Sequence, residues 1–207
     1  MQKGCKVMIF PSPRCMFELS CVEKGSEYLL KLTLLENRKG IIYRVTAVLF
    51  AHGWDILEAN FEILSGGTVK DVFLIRSFHN SSMDNLNLSK IENDLHKLFE
   101  KNLAVIDYLE SFPDLPLLKP SERPPSIQIF NPTSIDSTVL DIRTADRPGL
   151  LFEISQLLYL FDIDIVSVTA KSEDGQVRDS FLLRQDASDR LTEDLMEKIK
   201  IGLQKLI

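Results

Sequence analysis

With 207 residues the chain is long enough for one large domain or for two of about 100 residues each. A hydrophobic share of 44% against 26% charged residues excludes an intrinsically disordered chain. The net charge of −6, with no Lys/Arg cluster against that average, excludes nonspecific binding to nucleic acid or to an anionic membrane.

Met1-Gln2-Lys3-Gly4-Cys5-Lys6 is followed by Val7-Met8-Ile9-Phe10, an apolar run stopped by Pro11, which is too short for a signal-peptide core. No stretch of about 20 apolar residues follows, so no transmembrane helix is expected and the location implied is cytoplasmic. Cys5, Cys15 and Cys21 are odd in number and widely spaced, which predicts reduced thiols rather than a disulfide framework or a metal site.

In chain order, Val7–Phe10 reads as a short strand and Tyr28–Leu35 as a second. The turn Asn37-Arg38-Lys39-Gly40 leads into a helix over Ile41–His52, then strands over Asp55–Leu64 and Thr68–Arg76 and a helix over Leu88–Lys101. Pro113, Pro116, Pro120, Pro124 and Pro125 then predict an extended, stiff connector, because proline fixes φ and removes a backbone donor. Ile127–Phe130, which resembles the Val7–Phe10 run, reads as a strand that either completes the second sheet from its N-terminal side or serves as the fourth strand of the first; a strand before both copies favours the former.

Thr138–Arg143 alternates apolar and polar residues as a half-buried strand does. After Asp146-Arg147-Pro148-Gly149, the residues Leu150, Leu151, Ile154, Leu157, Leu158 and Phe161 form one helical stripe. Asp146 is placed to cap that helix. Strands over Ile163–Lys171 and Val177–Arg184, joined by Glu173-Asp174-Gly175, read as a hairpin, and Thr192–Ile207 as a closing helix.

The second half repeats the first. At an offset of 109, Asn37-Arg38-Lys39-Gly40-Ile41-Ile42-Tyr43 falls on Asp146-Arg147-Pro148-Gly149-Leu150-Leu151-Phe152, and Asp55-Ile56-Leu57 on Asp164-Ile165-Val166. After a one-residue slip, Asp71-Val72-Phe73-Leu74-Ile75-Arg76 falls on Asp179-Ser180-Phe181-Leu182-Leu183-Arg184. The fold class expected is α+β: two tandem ferredoxin-like sandwiches, each a four-stranded antiparallel sheet with two helices on one face. The bare sheet face would be covered by the sister unit or by another chain. The first unit is placed at residues 1–108, the linker at 109–124 and the second unit at 125–207.

The Asp146–Leu151 turn, between a first strand and a first helix, resembles the ACT domain, and Val177-Arg178-Asp179-Ser180-Phe181 extends the likeness. The pattern is similar to the tandem ACT pair of the enzyme that uridylylates and deuridylylates the PII protein. That resemblance implies a non-catalytic regulator binding an amino acid where two modules meet. Its ligand-binding residues would be Asp146, Arg147, Gly149, Leu150 and Leu151, and in the first copy Asn37, Arg38, Gly40, Ile41 and Ile42.

The chemistry fits an amino acid. A helix N-terminus offers amide donors to a carboxylate. Gly149 admits close approach, and Asp146 or Asn37 can accept from an ammonium group. The same turn also serves a purely structural role, Asp capping, Pro pre-setting the first turn and Gly packing tightly. Lys39 in place of Pro148 and Asn37 in place of Asp146 make the second copy the better site.

No catalytic residue, metal ligand or cofactor is expected. Asp162-Ile163-Asp164 has nucleotidyltransferase spacing, but the first copy reads Gly53-Trp54-Asp55 there, so a strand-entry turn is the expectation. His52, His79 and His96 have no acidic or nucleophilic partner at a telling spacing and read as surface or helix-end residues. Glu92-Asn93-Asp94 reads as a solvated helix face, and Trp54 as a core or interface residue. The partners expected are an amino acid, with glutamine suggested by the resemblance alone, and a homo-oligomer or a regulated enzyme. The alternatives are a uridylyltransferase-related enzyme and a ligand-free docking module.

Overall fold

The computed structural model describes residues 8–9, 17–64, 66–101, 103–116, 118, 124–185 and 189–207. The first unit comprises β1 (Met8–Ile9), β2 (Phe17–Lys24), β3 (Glu27–Leu34), α1 (Ile41–Ala51), β4 (Trp54–Ile63), β5 (Val69–Ser77), α2 (Asn85–Phe99) and the short α3 (Val105–Glu110). The second comprises β6 (Ser126–Phe130), β7 (Thr138–Ala145), α4 (Leu150–Leu160), β8 (Asp164–Glu173), β9 (Gln176–Arg184) and α5 (Glu193–Leu206).

Among the described residues the strands form one nine-stranded antiparallel sheet in the order β1-β2-β3-β5-β4-β8-β9-β7-β6. Alternation decides which face is buried. Leu30, Leu32 and Leu34 of β3, Phe73 and Ile75 of β5, and Phe181 and Leu183 of β9 point under the helices and are almost wholly buried. Helices α1 and α4 pack against each other across the middle of the sheet.

The strand at Ile127–Phe130 belongs to the second sheet, paired to β7 through Ile127↔Ile142 and Ile129↔Leu140. Its counterpart in the first unit is not the Val7–Phe10 run but β2, which pairs along the whole of β3. Phe17, Leu19 and Cys21 alternate inward there. The residues Met8 and Ile9 add only a short outer strand, paired to Ser20 and Cys21. Each unit therefore supplies its edge strand before, rather than after, the helix-bearing core, and the edge strand takes the place a final strand would otherwise hold.

The sister unit does not cover the bare sheet face. It extends the sheet edge to edge, with β4 against β8 from Glu58↔Lys171 to Glu62↔Ser167. Helix α3 begins the segment expected to be an extended connector, and residues 111–116 follow it in turns. Pro120 lies outside the described residues, as do Cys5 and Cys15; Cys21 is a buried free thiol, pushed up to about 11 by its burial.

Equivalent residues meet at the boundary. Thr46 Oγ1 lies 3.1 Å from Ser155 Oγ, Tyr43 stacks on Phe152 at 5.9 Å, and Asn60 pairs with Thr169. Each pair is related by the same 109-residue offset, so the two halves sit about a pseudo-twofold axis through this line. The backbone of each turn therefore meets the other unit in the same way, reversed.

Candidate functional site

The Asp146–Gly149 turn closes not on its own unit alone but on the first. A cavity of about 20 Å³, room for one water molecule, is bounded by Asp146, Arg147, Gly149 and the first residues of α4. Phe50, Trp54 and Asp55 of the first unit form the facing wall, and Asp179 of β9 the floor. Trp54, expected in the core or at an interface, is buried and meets Tyr28 edge-on at 5.5 Å.

Gly149 is required at its place. Its φ of 78° is left-handed, and a Cβ there would stand 2.8 Å from the Phe50 ring and from Leu118. Gly149 is also the N-cap of α4, with no side-chain capping bond. Asp146 therefore does not cap the helix, contrary to expectation: three residues separate it from Leu150, and the turn closes instead through Leu150 N–H donating to Arg147 O. The carboxylate of Asp146 is left facing the boundary.

Three carboxyl groups converge. Burial and then the Asp146 carboxylate push Asp55 up to about 6, against the pull of Arg76, whose guanidinium is 3.7 Å away. Burial, helped by Asp146, pushes Asp179 up to about 8, although its carboxylate accepts from the Lys171 backbone N–H. Asp179 Oδ1 is buried and has no hydrogen-bond partner among the described residues. Such an atom costs free energy unless a donor or a proton reaches it.

Arg147 is turned to its own unit. It ion-pairs with Glu153 in the first turn of α4 and donates to Leu206 O at 3.4 Å. The amides at the start of α4 are thus the donors closest to hand for an anionic group, with Arg147 held beside them.

The first copy builds the mirrored cavity, about 10 Å³, from Arg38, Gly40, Ile41, Ile42 and Tyr43 against Tyr159, Ile163 and Asp164. Gly40 has φ 80°, and its Cβ would meet the Tyr159 ring at 2.7 Å. Here the polar groups of the turn itself are matched. Asn37 donates to the Asp164 carboxylate, and Lys39 Nζ donates to Asp162 O at 2.9 Å and to Asp162 Oδ1 at 2.8 Å. Arg38 instead pairs with exposed Glu36. Asp162 itself occupies a strand-entry turn with φ 62°.

Sequence reasoning missed the floor and the wall. Asp71 and Asp179 stood out only as alignment markers, yet both are buried carboxyls on the helix-facing side of their strands. Burial holds Asp71 well above the usual carboxylate range, with both its oxygens unpartnered among the described residues. His52 caps the C-terminal end of α1 and His96 lies in the last turn of α2, the helix ends expected of them. Each also meets a carboxylate that sequence spacing did not single out: His52 Nε2 lies 2.8 Å from Asp94 and His96 3.1 Å from Glu100. Asp94 is buried rather than solvated, and also accepts from Lys97 and Tyr108.

No helix among the described residues is long and apolar enough to cross a membrane. The chain matches no protein-family model. It is 25% identical over 151 residues to the bifunctional uridylyltransferase/uridylyl-removing enzyme of Cereibacter sphaeroides, covering 72% of this chain. The corresponding enzyme of Nitrobacter winogradskyi is 23% identical over 195 residues, covering 92% of this chain. The chain spans only 16% and 20% of those enzymes. Among solved structures, an aspartate kinase from Synechocystis aligns over 91% of this chain and 27% of its own, at 15% identity and a TM-score of 0.47. The chain is thus distantly similar to the ACT-bearing C-terminal region of the uridylyltransferase enzymes, and it is itself built as two tandem ferredoxin-like units.

Proposed function

We propose that this chain is a regulatory module that binds an amino acid at the Asp146–Leu151 turn and passes the event on through the boundary between its two units. The observation that carries the reading is Asp179 Oδ1, buried without a hydrogen-bond partner among the described residues, in a cavity that also receives Asp146, Asp55 and the start of α4. A ligand ammonium supplies the missing donor to these carboxyl groups. The ligand carboxylate takes the unpaired amides of the first turn of α4, at the positive end of its dipole.

The closed cavity holds about one water, so an amino acid enters only if the Asp146–Gly149 turn parts from Phe50 and Trp54. Because these walls belong to different units, occupation and displacement of the units are one event. A ligand that binds the parted form better shifts the population toward it, and the coupling runs to whatever partner reads the arrangement. Glutamine enters as a candidate only through the similarity to the uridylyltransferase enzymes.

A thermal-shift screen of the twenty amino acids tests the reading. A ligand at 100 times its dissociation constant stabilises the fold by about 2.7 kcal/mol. The shift is expected to vanish in Asp146→Asn and Asp179→Asn proteins that still unfold cooperatively. The absence of a shift with every amino acid, confirmed by calorimetry, would leave the turn a docking element.

A further inference from the structure

We infer that the two symmetry-related boundary sites are unequal in use: the first is already filled by the chain's own Lys39 and Asn37, so each chain takes up one amino acid, at the second turn, and not two. The inference rests on the amino-acid reading above and adds to it a stoichiometry and the residues that set it.

The two sites share their frame. Gly40 against Tyr159 repeats Gly149 against Phe50, and Asp164 repeats Asp55. What differs is where the positive charge comes from. At the first site Lys39 supplies an ammonium of its own, bonded to the carbonyl and carboxylate of Asp162 and acting on Asp164. The Asn37 amide gives Asp164 a donor as well. At the second site Pro148 stands where Lys39 would, and brings no cation. Asp146 stands where Asn37 would, so Asp55, which like Asp164 has an arginine and a backbone donor, meets a second carboxylate in place of a side-chain amide.

The turn backbones differ in the same sense. Arg44 donates to Lys39 O at 2.9 Å and Gly40 O at 3.0 Å and lies over the Tyr159 ring at 5.6 Å, holding the first turn shut. Its counterpart Glu153 instead engages Arg147 of its own unit. The first site is therefore cation-supplied at its turn and latched across the boundary, although Asp71, the counterpart of Asp179, is buried behind it with both oxygens unpartnered among the described residues. The second turn adds the Asp146 carboxylate and has no latch of this kind among the described residues. A free ammonium gains at the second site what Lys39 already supplies at the first.

Native mass spectrometry of the full chain in an equimolar mixture of the twenty L-amino acids counts the ligands directly. The wild-type chain is expected to carry one amino-acid adduct, and Asp146→Asn none. The Asn37→Asp/Lys39→Pro double variant, which copies the second turn into the first, is expected to carry two. Its backbone is tolerable, since Pro148 occupies the same place beside a glycine of the same φ. Two adducts on the wild type, or one on a folded double variant, would overturn the inference while leaving the amino-acid reading intact. No adduct on any of the three would overturn that reading and this inference with it.

A second arm needs no amino acid. In Lys39→Ala the lost melting temperature is expected to be recovered by ethylammonium chloride beyond the effect of equal sodium chloride. Equal effects of the two salts would show that the Lys39 cation fills no site, against the inference.

Discussion

Asp146 faces Asp55 across the boundary between the units, in the place where symmetry puts Asn37 against Asp164. One exchange, amide for carboxylate, turns a satisfied contact into a like-charge pair. The cost of that pair falls on a turn whose backbone could form without it, since the first copy builds the same turn with asparagine. A local arrangement that works against stability in one of two otherwise equivalent places is what a binding site asks of a fold.

The buried proton on Asp179 makes the stability of the fold depend on pH. Its folded value near 8 lies above the value of about 3.9 expected in the unfolded chain. From about pH 4 to pH 8 the native state holds a proton that the unfolded state has released, so stability is greatest below this window and falls as pH rises through it. Asp179→Asn keeps the acceptor for Lys171 N–H and removes the titration. Urea unfolding at a series of pH values is expected to give a flatter profile for the variant, with its stability gaining on the wild type as pH approaches 8. Parallel profiles would mean that Asp179 ionises freely.

Gly149 and Gly25 separate strain from crowding. Both have positive φ, near 78° and 67°, but a Cβ at Gly25 meets nothing within 4 Å. Gly25→Ala therefore costs only the left-handed backbone penalty, about 1–2 kcal/mol. Gly149→Ala adds a 2.8 Å contact with Phe50 and Leu118 and is expected to cost more. At this chain length each kcal/mol lowers the melting temperature by about 2–4 °C. Combining Gly149→Ala with Phe50→Leu is expected to return part of the loss. Equal melting temperatures for the two single variants would remove the close approach of the units at this turn.

Much of this architecture is legible in the residues. The repeat, the helix stripes and the strand alternation all depend on local periodicity, which chain order preserves. Even the β2 strand was readable in Phe17-Glu18-Leu19-Ser20-Cys21, but the likeness of Val7–Phe10 to Ile127–Phe130 drew the assignment away from it. The boundary was not legible. Nothing local says that β4 pairs with β8, and only that pairing places Phe50 and Asp55 at the turn of the other unit. For the same reason the turn residues were found, and Trp54 was read as a core or interface residue, while Asp55 and Asp179, which complete the cavity from elsewhere in the chain, were not.

Asp94 shows the same limit and yields a last prediction. In sequence it belongs to a polar stretch, Glu92-Asn93-Asp94, and its partner Tyr108 comes from α3, in a region read only as the end of the unit. In the fold it binds His52 at 2.8 Å, Lys97 at 2.6 Å and Tyr108 at 3.0 Å. Burial works to raise its carboxyl, but these three donors outweigh it and hold Asp94 below the usual carboxylate value. A depressed value stabilises the fold above the unfolded carboxylate range and loses that contribution as pH falls through the folded value. Asp94→Asn is expected to cost about 1–3 kcal/mol at neutral pH, because it weakens acceptance from the Lys97 ammonium and a buried hydroxyl and disturbs the contact with the His52 ring. The gap to wild type should narrow in acid, where the wild-type carboxylate is itself protonated. Tyr108→Phe removes one donor, and in a cycle with Asp94→Asn the two changes are expected to be non-additive by about 0.5 kcal/mol or more. Additive losses that persist unchanged at low pH would reduce the cluster to a surface contact and leave α3 held by its apolar residues Val105 and Tyr108 alone.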